Sequence, residues 1–162
     1  MAPLTVFLDC EFTDFINIDL ISIALVCEDG REFYAERSDF RLDECSDFVR
    51  VAVLPLLGRI PDTTLSREEL SVKLRAWLAE STDVVMACDS NHDRDLFCDA
   101  IDYLATPNVV GWIGLDGFSD TAAEAFYNAS VGYHDQHGHP WHHALHDARA
   151  HLAGWCAVHR TS

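Results

Sequence analysis

The sequence predicts an α/β fold: one mixed sheet of five strands flanked by helices, with residues 1–162 forming a single domain. Three observations predict it. The first third is rich in short β-forming runs, two of them joined by an Asp-Gly turn. From residue 46 the apolar spacing changes to a helical period. After residue 80, strand-like and helix-like segments alternate.

The elements follow in order. Leu4–Asp9 and Leu20–Cys27 read as apolar strands, and Arg31–Glu36 alternates polar and apolar residues. Between the last two lies Glu28-Asp29-Gly30, so the second and third strands form an antiparallel hairpin. Ser46–Leu54 is a short helix closed by Pro55. Ser66-Arg-Glu-Glu69 is a capping box, and Leu70, Leu74, Trp77 and Leu78 follow on one face, giving a helix over 66–80. Asp83–Cys88 is a buried strand. The turn Asp89–His92 leads into a helix carrying Leu96, Phe97, Ala100, Ile101 and Leu104. Asn108–Ile113 is the fifth strand, and residues 119–128 are helical. Gly132–Pro140 reads as a glycine- and histidine-rich loop before a last helix from about His143 to Val158.

Composition narrows the function. Hydrophobic residues make up 49% and charged residues 23%, which is globular composition and excludes disorder for most of the chain. No apolar run reaches the roughly 18 residues of a membrane span. The N-terminal residues carry no basic segment, so a secretory signal is not expected and the cytoplasm is the expected location. The six cysteines form no C-x-x-C pair, so a zinc ribbon is not indicated and reduced thiols are expected. Eleven Lys and Arg against 27 Asp and Glu leave a net charge of −16. Such a chain repels phosphate backbones at long range and cannot be a basic nucleic-acid coat. If it handles a polyanion, a bound divalent cation must supply local positive charge.

Three places carry candidate chemistry. Asp9 and Glu11 end the first strand and, two apart, point to one side. Two such carboxylates are either solvated or share a cation. Asp89, Asp93 and Asp95 follow the strand at 83–88, where acids also complement a helix N-terminus. The last place is His142-His-Ala-Leu-His-Asp147. Its histidines allow zinc binding at i, i+4, although the glutamate of H-E-x-x-H is missing. They also allow a histidine base ahead of a helix, with a carboxylate ligand one turn inside it.

Together these segments resemble the DEDDh exonucleases of the ribonuclease H-like superfamily. Asp9-Cys-Glu11 matches the family's first motif, Asp-x-Glu, and His142-His-Ala-Leu-His-Asp147 matches its His-x-Ala-x-x-Asp. The second motif is degenerate: Asp93 falls on its acid, with Asp95 as the rival, and Cys88, Asp89, Ser90 and His92 stand where the family has His, Asn, Ala and Phe. The stretch Phe7–Phe15, with the hairpin after it, is similar to the small mycobacterial-type 3′-5′ exoribonucleases of this superfamily.

The resemblance implies a ribonuclease H-like sheet and a hydrolase that removes nucleotides from RNA 3′ ends. It implies two ions, Mg²⁺ or Mn²⁺, held by Asp9, Glu11, Asp93 and Asp147, with His142 as general base. Phe12, Thr13 and Phe15 are expected against the substrate, and Arg94 and Arg149 near its phosphates. No membrane partner is expected, and a homodimer is, because relatives of this kind often dimerise. Three other readings stay open: a proofreading-like 3′-5′ deoxyribonuclease, a non-catalytic nucleic-acid-binding module on the same fold, and a zinc protein built on the histidine loop.

Overall fold

The computed structural model describes residues 2–160. β1 (Leu4–Phe12), β2 (Leu20–Cys27) and β3 (Glu32–Arg37) form an antiparallel meander. The Asp-Gly turn closes as its sequence requires: Gly30 has φ +90°, and its N–H donates to the Cys27 carbonyl. Helix α1 (Asp47–Ala52) starts on the Ser46 side chain, which accepts from Val49 N–H, and a 3₁₀ turn containing Pro55 follows. Helix α2 (Arg67–Ala79) begins with the complete Ser66–Glu69 capping box. Strands β5 (Val84–Cys88) and β6 (Val109–Gly114) flank α3 (Asn91–Ala100), and α4 (Asp120–His137) and α5 (Ala144–Arg160) complete the fold.

With a short strand β4 (Thr64–Leu65), the sheet of the described residues has six strands in the order β4-β3-β2-β1-β5-β6, not five. The additional strand pairs parallel to Glu36–Arg37. Two residues carry no readable period, so the sequence pattern does not reveal it. The remaining parallel pairs are β1 with β5 and β5 with β6. This mixed six-stranded sheet flanked by helices is compatible with a ribonuclease H-like fold.

Two further boundaries differ from expectation. Helix α4 continues through Gly132 to His137, and only then does Gly138, at φ +63°, end it in a left-handed cap. Packing decides this: α4 lies along α5, with Phe126 so close to Gly154 that a Cβ there would sit 2.6 Å from its ring. Helix α3 ends at Ala100 rather than reaching Leu104, because Asp102 and Tyr103 both adopt left-handed backbone.

Alternation along β1 divides the core and positions the acids. Val6, Leu8 and Cys10 pack with Leu70, Leu74, Leu96 and Phe97 from α2 and α3. Phe7 belongs to the opposite face, beside Trp155 of α5. By the same alternation Asp9 and Glu11 face α5. Pairing between β1 and β5 stops at Phe7–Ala87, so both acids lie beyond it, where the strands part. Crevices at such carboxyl ends are where open α/β sheets place their sites. Among the described residues, no helix is long and apolar enough to cross a membrane.

Candidate active site

A cleft of about 560 Å³ opens at this end of the sheet. Asp9, Glu11, Asp93, His142 and Asp147 all line it, so three separated segments converge. Each is placed by its own local structure. Asp9 and Glu11 come from the end of β1, and a register shift between Glu11 and Phe12 ends the regular pairing with β2. Asp93 sits in the first turn of α3, whose cap is Ser90 accepting from His92 N–H. It is 3% exposed and crosses to β1, where its Oδ1 accepts from Cys10 N–H at 3.0 Å. Asp95 lies outside this cleft and lines a neighbouring one with Arg67 and Asp99.

Asp147 sits in the first turn of α5. Its Oδ2 accepts from the backbone N–H of His142 at 2.9 Å. Five positions separate the two residues, too many for one face of a continuous helix. The chain solves this by holding His142 outside the helix at φ +64°. The exposed His142 ring thereby reaches the cleft, edge-on to Phe48 at 4.9 Å. Glu11, His142 and Asp147 each bring one donor atom within 4.8 Å of the others.

The electrostatics are those of like charges gathered in a partly dry space. Burial, then the charges of Asp147, Glu11, Asp93 and Asp89, hold the Asp9 carboxyl well above its ordinary range. Burial, then Asp147 and Asp93, raise Glu11 to about 8. Burial and the neighbouring Asp89 raise Asp93 to about 8, and burial raises Asp147 to about 7. Asp9, 9% exposed, keeps a buried Oδ2 with no hydrogen-bond partner. An orphaned carboxylate oxygen among three further acids fits a divalent cation, whose charge would offset all of these penalties. Acidic and histidine groups gathered in this way could hold a metal ion.

Other expected residues fall elsewhere. Thr13 is fully buried: its hydroxyl donates to the Asn17 carbonyl and accepts from Asp19 N–H, so it builds the turn after β1 and does not line the cleft. Arg149 is engaged away from the cleft, in a two-pronged ion pair with Glu32 at 2.8 and 2.6 Å. Arg94 lies over the Trp112 ring, in a separate small cleft. Phe12 and Phe15 do border the main cleft, and their rings meet edge to face at 5.2 Å. Phe15 is 73% exposed, which marks it as rim rather than core. The neighbouring histidines pack against other rings: His139 and His146 stack at 3.8 Å, and His143 stacks on Tyr34. Burial together with the adjacent histidines and Arg149 lowers His146 to about 3.

Two histidines near the acids, His151 and His134, escape the motif reading, and Asp89 stands closer to Asp9 than its place in the second motif implies. Asp89 and His151 line the cleft beside Asp9, and the buried His134 of α4 places its Nε2 3.1 Å from Asp147 Oδ1. His151 follows Asp147 by four positions, so helical periodicity was the available signal. The position of His134 depends on α4 packing against α5, which no local pattern encodes.

No protein-family model matches the chain. Two curated proteins of Mycobacterium tuberculosis, one from strain CDC 1551 / Oshkosh and one from strain ATCC 25618 / H37Rv, are each named 3′-5′ exoribonuclease. Each is 40% identical to this chain over 83 residues, covering 49% of this chain and 49% of the relative. The chain spans about half the length of the curated relatives it matches, and over that stretch it is similar to proteins named 3′-5′ exoribonuclease.

Proposed function

We propose that this chain is a 3′-5′ exoribonuclease of the DEDDh type, hydrolysing terminal phosphodiester bonds of RNA with two divalent cations. The observation that carries the reading is the convergence of Asp9, Glu11, Asp93 and Asp147 with His142 in one cleft. Similarity to two proteins named 3′-5′ exoribonuclease supports the substrate class and the polarity.

Asp9, Glu11, Asp93 and Asp147 would hold Mg²⁺ or Mn²⁺. When bound, the cations supply positive charge for the phosphate and lower the pKa of water. The chain's own residues do the rest. His142 accepts the proton of the attacking water. Partial burial lowers its pKa, so the ring is neutral and able to accept a proton at neutral pH. The Asp147 oxygen that takes the His142 N–H holds this loop residue in its left-handed conformation. Asp93 ties α3 to β1 through Cys10 and so fixes the distance between two acid-bearing segments. Phe12 and Phe15 border the cleft, and the exposed Phe15 ring is where a terminal base can stack.

The acidity of the chain then has a role. Few cations are available to grip a long strand, so affinity concentrates at the terminal phosphate. A gel tests the reading: RNA labelled at its 5′ end, and DNA of the same sequence, incubated with Mg²⁺, Mn²⁺ or EDTA. The expected result is a ladder shortening from the 3′ end of RNA with either cation and none in EDTA. Internal fragments, or full activity in EDTA, overturn it, and equal degradation of DNA returns the deoxyribonuclease reading.

A further inference from the structure

The acid set does not account for everything at the cleft floor. Asp89, directly after β5, and His151, one turn beyond Asp147 on α5, meet beside Asp9. One donor atom from each of Asp9, Asp89 and His151 lies within 4.8 Å of the other two. His151 is 8% exposed and directs Nε2 towards Asp89 Oδ2 at 3.6 Å, within reach of an ion pair when the ring is protonated but long for a hydrogen bond. Two ligands each about 2.1 Å from one ion lie roughly 3 to 4.2 Å apart, which brackets this separation. Asp9 brings the independent sign of a missing ligand: it is nine-tenths buried, and its Oδ2 has no partner. A site with two carboxylates and one imidazole differs in kind from an all-oxygen site. Mg²⁺ favours oxygen, whereas imidazole suits first-row transition ions.

We infer that Asp9, Asp89 and His151 form a cation subsite with a nitrogen ligand, taking a first-row transition ion such as Mn²⁺ in preference to Mg²⁺. This rests on the reading of the cleft as a cation-dependent nuclease centre and adds Asp89 and His151 to the acids assigned there. It makes the two cation positions chemically unequal. Glu11 and Asp147 serve one, and Asp9 joins it to a second that discriminates between metals through His151.

The test uses Mn²⁺ alone, without substrate. Because His142 is a second nitrogen near the cleft, the background is the His142→Ala protein. Bound Mn²⁺ is titrated by electron paramagnetic resonance, and pulsed measurements read ¹⁴N modulation from a coordinated imidazole. The expected result is nitrogen modulation in His142→Ala that disappears when His151→Gln is added. One of the two Mn²⁺ affinities should weaken by roughly ten- to hundred-fold or more, while Mg²⁺ affinity changes by less than about threefold. Asp89→Asn, at an exposed position that tolerates substitution, should weaken the same Mn²⁺ ion even if His151→Gln fails to fold. Two bound Mn²⁺ ions with oxygen-only ligation overturn the inference and leave the nuclease reading intact. So does nitrogen modulation unaffected by His151→Gln, or an equal loss of Mg²⁺ affinity. No Mn²⁺ bound by the wild-type protein overturns both.

Discussion

Replacing Asp147 by asparagine should weaken cation binding at the position it shares with Glu11 and yet stabilise the cation-free protein at alkaline pH. The structure gives the reason. The carboxyl is nine-tenths buried, and burial holds its pKa at about 7 against an ordinary 3.8. Its folded state therefore binds the proton more tightly than the unfolded state. Its contribution is most favourable below pH 4, declines as pH rises from 4 to 7, and is flat above. At about 1.4 kcal/mol per pH unit, the ceiling at pH 8 is about 4 kcal/mol. The cleft admits water, so about 2 kcal/mol is the working figure, or roughly 4–8 °C in melting temperature for a chain of this length. Asparagine keeps the useful contacts: its oxygen can accept from His142 N–H, and its amide can face His134 Nε2. That nitrogen carries the lone pair, because Nδ1 donates to the His139 carbonyl at 3.1 Å. Melting curves of wild type and Asp147→Asn in EDTA at pH 8 and pH 5 are the assay. The gain at pH 5 should be less than half of that at pH 8. Adding Mn²⁺ at about a hundred times its dissociation constant should stabilise wild type by about 2.7 kcal/mol and the variant far less. A variant less stable than wild type at pH 8, or a gain independent of pH, refutes the electrostatic reasoning.

Other substitutions separate the remaining roles. His142→Ala should slow RNA hydrolysis by roughly 10²–10⁴-fold while Mg²⁺ titration by calorimetry stays close to wild type, since the proposed Mg²⁺ ligands are carboxylates. Phe15→Ala should raise KM for RNA about tenfold with little change in kcat, as expected for a stacking ring outside the chemistry. Ser66→Ala removes the cap of α2 and should lower stability by about 1 kcal/mol, leaving hydrolysis rates at moderate temperature unchanged.

The elements that could be read from the sequence are those specified by neighbours in the chain. The Asp29-Gly30 hairpin and the Ser66–Glu69 capping box form as their residues dictate, because turn and cap chemistry acts over a few positions. Asp9 and Glu11 could be assigned to one face for the same reason: strand alternation is local. What escaped depends on distant partners. Gly132 argued for a loop, but packing of α4 along α5 keeps the helix intact to His137. Thr13 beside the first motif looked available to substrate, yet the turn to Asp19 takes its hydroxyl. Arg149 near the third motif points away to Glu32, a partner 117 positions earlier. Asp89 and His151 meet only because the end of β5 and the N-terminal half of α5 both come up against β1, a fact of topology rather than of pattern.

On the proposed function, the acids at the end of β1 hold the cations needed to remove nucleotides from RNA 3′ ends. The most direct measurement follows a label on the 3′-terminal nucleotide of an RNA, comparing wild type with Asp9→Asn in Mn²⁺ and in EDTA. Wild type with Mn²⁺ should release the label as a mononucleotide before any shorter RNA accumulates, and Asp9→Asn or EDTA should stop release. Release at an unchanged rate by Asp9→Asn, or appearance of the label first in oligonucleotides, would contradict it.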